Sequence, residues 1–568
     1  MGYLGGVVRE GASVLSGTRV RSVLTGPWAL PMVVAGCICS LVARRISDTG
    51  LQAYGADGAQ YLEHTARLRV LKLWQNADGG VSLGFVADAD AAFPPVLHLL
   101  TLPFGALFGH TAELASRTGL LWFLLLALVA GVLAHQLGAS RRVAGVAAML
   151  LMLVPAVHGM ATRYYYDLPM TVFLWGSAAV LLATLRGRWS PGVGGLIAAV
   201  LLVLAVLTKW AALAFGAPIL LGVVLLYGVE ARSSLSWRRL GVVLSAVSAV
   251  SLLLLGAFLM ASGPENSLMS MASTAYSGPH GLARLVHRGS SHLMFYPLRL
   301  VVSVISPALF ACLLPALVSW LRGQRRGLPL VLTVCVGHGL FLVVGMPALD
   351  DRFLLPGLPV LAVVVALGWE SMPSMHRRAL GSLTLAMGLW VAWDFHAGTA
   401  GPFNQAVTLT KPTEDDVPPT SARGLGAASS MEGRGWLRVD EQGPPARAFR
   451  EALWSVVARD RPSYLGVPGQ KALIDPWGDL EWWRYRGLLD QVTGPREGPE
   501  VIALCPPPGH GPYESEQPDL VVNLVPPGAL PALPSCLDAG RWSLSGVVRD
   551  PHTARQAVFF QPYVGPAD

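Results

Sequence analysis

Hydrophobic positions along this chain gather into about eleven runs, at roughly 27–43, 118–137, 143–160, 168–186, 191–208, 210–228, 240–261, 298–321, 328–346, 354–370 and 379–396. About 20 apolar residues make one helical bilayer crossing. Only a helix or a closed barrel satisfies its own backbone in hydrocarbon, so each run is predicted as a transmembrane helix. The polar residues between the runs sort by charge. Arg141-Arg142, Arg186 with Arg188, Arg238-Arg239, Arg325-Arg326 and Arg377-Arg378 all fall in alternate loops. Cationic loops stay on the cytoplasmic side, so these five define the inner face. The other loops carry Asp57, Asp167, Lys209, Asp350, Asp351 and Arg352 and are predicted to face outward.

This sidedness settles the short apolar stretch 93–109, which opens on Phe93-Pro94-Pro95. A crossing there would turn all five basic loops outward. The stretch is therefore predicted to lie on the outer surface or dip into it. Residues 44–117 become one long outer loop with an amphipathic helix from Asp57 to Trp74, and 262–297 a second outer loop. Residues 1–26 hold Arg9, Arg19 and Arg21 and are predicted to be cytoplasmic, with the first run a retained signal-anchor. Arg44 and Arg45, just beyond that run, oppose the charge rule and are outvoted by the later loops. Eleven crossings put the C-terminus outside.

Beyond residue 397 the pattern changes. Residues 398–444, with Pro418-Pro419, are a polar linker. Residues 445–568 are predicted to form a small α/β domain, with a helix over Ala448–Val457 and short buried strands at 471–474, 501–504 and 520–524. The fold class expected is a polytopic α-helical membrane protein of about eleven transmembrane helices, in the inner (plasma) membrane, with a soluble extracytoplasmic α/β domain. Composition agrees. The 568 residues are 53% hydrophobic and 14% charged, against about 25% charged in soluble domains. The net charge of +7 needs no nucleic-acid partner, because much of the arginine sits in the inner loops. Cys37, Cys39, Cys312 and Cys335 lie in apolar runs and read as small buried hydrophobes. Cys505 and Cys536 lie in the C-terminal domain, where an oxidising compartment would permit a disulfide.

The chemistry-bearing residues each have two readings. Asp57 opens a helix in the outer loop and Asp167 stands at the outer mouth of a span, two residues before Pro169. Each fits an ordinary helix N-cap. Two carboxylates on one side of the bilayer also fit a division of base and positioning work. Lys209, beside Trp210, is either a snorkelling anchor or a phosphate ligand. Arg352 either grips a phosphate bidentately or pairs with Asp350 or Asp351. Asp88-Ala-Asp90 is a short metal-type pattern of low specificity. His64, His98, His158, His280, His287 and His292 lack the paired spacing of a zinc site and read as polar surface or interface residues. No metal site is assigned, and a divalent cofactor stays open.

Taken in order, the motifs Asp57-x-x-x-Tyr61, Phe93-Pro94-Pro95-Val-Leu-His98, Arg163 to Asp167-Leu-Pro169, Leu207-Thr208-Lys209 and Arg352-Phe353-Leu-Leu-Pro356 resemble the membrane-embedded C-type glycosyltransferases. That superfamily includes the protein O-mannosyltransferases and lipid A aminoarabinose transferases. The resemblance covers roughly residues 27–370. It implies a polyprenyl-phosphate sugar donor and inverting transfer to an extracytoplasmic glycan, lipid or protein. It implies Asp57 and Asp167 as catalytic acids, Lys209 and Arg352 as donor-phosphate ligands, and Tyr61 and Arg163 as substrate contacts. Where many relatives carry Asp-Glu, this chain has Asp57-Gly58. The rival expectations are a transporter or flippase for a lipid-linked sugar and a non-catalytic scaffold. A transporter would show repeats and midplane polar residues in broken helices. The oligomeric state is not legible.

Overall fold

A computed structural model describes residues 28–49, 94–108, 112–162, 164–231, 236–262, 296–323, 325–345 and 351–397, and toward the C-terminus five strands with a few residues beside them. Each of the eleven predicted runs is helical. The helices are α1 (Ala29–Thr49), α2 (Val96–Phe108), α3 (Ala112–Gln136), α4 (Arg141–Met152), α5 (Pro155–Met160), α6 (Asp167–Leu185), α7 (Pro191–Val206), α8 (Ala212–Glu230), α9 (Trp237–Ser262), α10 (Pro307–Arg322), α11 (Leu328–Leu340), α12 (Leu358–Glu370) and α13 (Ser374–Ala397). Among the described residues, six helices are long and apolar enough to cross a bilayer, and a bent pair at 296–322 makes a seventh. The 13-residue α2 rises about 20 Å, short of the roughly 30 Å hydrocarbon layer.

Proline and serine mark the breaks. Val154 is extended before Pro155, which cannot donate a helical amide, so one predicted run becomes α4 and α5. Ser306 takes φ 81° between a π-helical turn, Leu300–Ile305, and α10, and its hydroxyl caps the Leu309 amide. A 3₁₀ turn, Asp351–Gly357, leads into α12.

The most buried span is α6, wrapped by α3, α7 and α8. Of its apolar stretch 89% is buried, against 17% for α9, whose Leu252, Leu253 and Met260 remain exposed. Glycine lets the helices close in. A Cβ on Gly119 of α3 would collide with the Ala161 carbonyl, and one on Gly194 of α7 with the Thr184 side chain. Gly119 thus seats the turn that precedes α6.

The predicted basic loops meet at one end of the body. Arg186 chelates the Glu230 carboxylate at 2.5–3.0 Å and also donates to the Gln136 carbonyl. Arg239 donates to the Thr184 and Trp189 carbonyls at 3.0 and 2.8 Å. Arg326 donates to Gly138 O at 2.8 Å, and the Ser140 amide donates to Glu370 at 3.2 Å. These arginines cap the carbonyl-rich C-terminal ends of α3 and α6, where a cation is favoured. Arg45, the exception to the charge rule, is not a loop charge. It is buried, donates to Phe395 O at 2.6 Å and lies 5.1 Å from the Phe395 ring, closing the last turn of α13.

Toward the C-terminus, β1 (Tyr464–Pro468), β2 (Glu500–Leu504), β3 (Leu520–Val525), β4 (Trp542–Arg549) and β5 (Gln556–Pro562) form one sheet in the order β2-β1-β3-β5-β4. The first three are parallel, and β5 and β4 add on antiparallel. Val521, Val558 and Phe560 form one buried cluster with Leu537 and Trp542, and the alternating Leu520, Val522 and Phe559 are buried too. The predicted strands at 501–504 and 520–524 are β2 and β3. The one at 471–474 lies outside the described residues, as do Cys505 and Cys536. Strands β1, β4 and β5 were not anticipated: β1 contains glycine and ends in proline, which mutes a strand signal.

Gly119→Val should lower the midpoint of thermal unfolding in detergent, by about 1–3 kcal/mol equivalent for an overpacked contact. An unchanged midpoint would mean that the α3 contact does not hold the turn before α6.

Candidate active site

Four segments meet at the end of the body away from the arginine caps: the turn before α6, the turn between α7 and α8, the start of α2, and the 3₁₀ turn before α12. Asp167 is the first residue of α6 and fully buried. Its carboxylate occupies the positive end of the helix dipole. It is not the cap expected from sequence: Tyr166 holds the cap position, and no side chain caps there. The carboxylate instead receives Lys209 Nζ at 2.7 and 3.0 Å.

Lys209 sits in the short turn between α7 and α8. The anchor reading fails here, because the ammonium folds inward onto Asp167 with its side chain only 20% exposed. Nζ also lies 5.2 Å from the Phe353 ring centre. Arg352 reaches the same ring. Its guanidinium is 5.2 Å from the Phe353 ring and 4.9 Å from that of Tyr165, and it donates to the Tyr165 hydroxyl. Aromatic faces attract cations by their quadrupole. Phe353 thus has two cations, each 5.2 Å from its ring centre.

The turn carrying Arg352 is pinned from two helices. His338 of α11 donates to Phe353 O at 2.8 Å, and Trp175 of α6 donates to Pro356 O at 2.8 Å. The π-helical turn 300–305, led by the buried Arg299, packs on the same segment. Helix α2 joins through its first amide, as Val96 N–H donates to Leu207 O at 3.1 Å.

The structure thus brings together Asp167, Lys209 and Arg352. Asp57, Tyr61, Arg163, Asp88, Asp90 and Asp350 lie outside the described residues. His98 and His158, expected as polar surface or interface residues, have no exposed area. Among the described residues no cluster of three or more His, Cys, Asp or Glu could hold a metal ion. Sequence reasoning gave no site role to Tyr165, Phe353, His338, Trp175 or His98, although His98 and Phe353 stand in two of the ordered motifs. The run Tyr164-Tyr165-Tyr166 directly before Asp167 was the available signal, because buried tyrosines need partners for their hydroxyls.

The arrangement sets two cations and one carboxylate around the Phe353 ring. A structure of ArnT from Cupriavidus metallidurans bound to undecaprenyl phosphate superposes with a TM-score of 0.58 at 16% identity, over 93% of this chain and 97% of that one. Its apo form gives 0.57 over the same shares. The chain has the ArnT fold. That fold is the one implied by the ordered motifs. The oligosaccharyltransferase AglB from Archaeoglobus fulgidus aligns at a TM-score of 0.47, with 14% identity over 84% of this chain and 64% of that one. No protein-family model matches the sequence, and a comparison with curated proteins gives no match.

Within the ArnT fold, Asp167 and Lys209 form a pair whose members depend on each other. Removing one partner of a buried pair costs about 3–5 kcal/mol, because a charge is left uncompensated. Asp167→Asn and Lys209→Met should each lower stability more than the double variant does. Unfolding midpoints that simply add across the cycle would show that the two side chains do not interact.

Proposed function

We propose that this chain is a membrane glycosyltransferase that moves a sugar from a polyprenyl-phosphate carrier, with inversion, to an acceptor on the extracytoplasmic side. The observation that carries this reading is the convergence of Lys209 and Arg352 on Phe353 beside Asp167, at the end of an ArnT fold opposite the arginine-capped loops. ArnT itself was solved with undecaprenyl phosphate. A lipid-tailed donor stays in the bilayer, so its phosphate has to be met at the ends of the helices.

In the proposed reaction the acceptor oxygen attacks the anomeric carbon and gives its proton to Asp57. The bond from that carbon to the phosphate oxygen breaks, and the polyprenyl phosphate leaves. Lys209 and Arg352 stabilise the charge growing on the leaving phosphate, the kind of preorganised electrostatics that lowers such barriers most. Asp167 holds the Lys209 ammonium in place while leaving its third N–H for the phosphate. Tyr61 and Arg163 are assigned to the substrate.

Binding of undecaprenyl phosphate, followed by native mass spectrometry, tests the phosphate site. Arg352→Ala should weaken binding about tenfold or more, as for a lost charge-assisted bond, and Arg352→Lys less, because it keeps the charge and loses the fork. Envelope glycans and lipids compared with and without the chain should differ by one sugar addition, which Asp57→Asn abolishes. Wild-type affinity in Arg352→Ala removes the phosphate role. A lipid-linked sugar that changes leaflet uncleaved would make the chain a flippase.

A further inference from the structure

Three consecutive tyrosines precede Asp167, and they divide between Arg352 and His98. Tyr165 turns to Arg352. Tyr164 and Tyr166 close on His98, with the Tyr164 hydroxyl 3.3 Å from Nδ1 and the Tyr166 hydroxyl hydrogen-bonded to Nε2. The Tyr166 ring stands edge-on to the imidazole at 5.5 Å, and Tyr164 lies tilted at 6.0 Å. His98 has no exposed surface. A neutral imidazole has one donor and one acceptor nitrogen, and two hydroxyls satisfy both at once. A phenylalanine would fill the space and bond neither.

The position of His98 gives this bonding a consequence. It lies in the first turn of α2, whose leading amide at Val96 bonds the Leu207 carbonyl, two residues before Lys209. On the other side, Tyr166 is the residue next to Asp167. His98 therefore stands where α2, the tyrosine turn and the Lys209 turn meet. One path runs through Tyr166 to the carboxylate, the other through Val96 and Leu207 to the ammonium.

We propose that His98 is a positioning residue, whose imidazole, clamped between Tyr164 and Tyr166, sets the distance between Asp167 and Lys209. The consequence for carrier binding rests on the reading of that pair as part of a phosphate site. The clamp itself does not.

Lys209 is one of four lysines in the chain, so its reactivity can be followed peptide by peptide. The full-length protein in detergent is treated with an amine-acylating reagent, and Lys209 modification is measured by mass spectrometry. His98→Phe should speed acylation about tenfold, the worth of one lost buried hydrogen bond. His98→Gln, which keeps a donor and an acceptor, should restore most of the protection. Tyr166→Phe removes one hydroxyl while keeping its ring, and serves in place of His98→Phe if that variant does not fold. Equal Lys209 reactivity in wild type, His98→Phe and Tyr166→Phe overturns the clamp. So does acylation of His98→Gln at the His98→Phe rate, which would leave His98 a matter of shape.

Undecaprenyl phosphate binding supplies the second arm. His98→Phe should weaken it in the wild-type background and leave it unchanged in Lys209→Ala, the non-additivity of groups that act through one another. A penalty of equal size in both backgrounds means that His98 does not act through Lys209, and overturns the proposal. If the wild type fails to bind undecaprenyl phosphate while acylation responds as expected, the carrier reading falls and the clamp stands.

Discussion

A carboxylate with no exposed surface at the head of a buried helix is the constraint around which this end of the molecule is arranged. Asp167 heads α6, the most enclosed span, and burial of a lone carboxylate is expensive enough that it must be paired. Lys209 supplies the charge from a turn between α7 and α8. That turn is tied to α2 by one backbone bond, and α2 is tied back to α6 through His98 and the tyrosines. Phe353 brings Arg352 to the same place. Each link answers a polar group that the apolar surroundings would otherwise leave uncompensated.

The two ends of the helical body use cations differently. At one end Arg186, Arg239 and Arg326 spend their donors on main-chain carbonyls and on Glu230, closing helix ends. At the other end Lys209 and Arg352 are held by a carboxylate, a phenol and aromatic rings. The first kind of bonding completes the fold. The second gathers two cations and a carboxylate among aromatic rings.

Much of this was legible in the chain. A long apolar run satisfies its own backbone as a helix, and all eleven runs are found helical. The alternation of basic loops correctly grouped the arginines that now meet at one end. Lys209, Arg352 and Asp167 stood out because ionisable residues at the mouths of apolar runs are rare. Their partners did not stand out. His98 and Phe353 stand in the ordered motifs, but spacing says nothing about contacts between segments more than 60 residues apart. Arg45 misled for the same reason: only packing shows that it caps α13 rather than facing water.

Sequence alone determined the order of the apolar helical runs and which basic loops share an end, and its ordered motifs pointed to the fold found. It could do so because bilayer length and loop charge act locally, residue by residue. The pairing of Asp167 with Lys209, the sharing of Phe353 by two cations and the enclosure of His98 by two tyrosines were decided by tertiary structure. Those contacts depend on which helix faces meet, and close approaches such as Gly119 against Ala161 settle that only when the whole bundle is assembled.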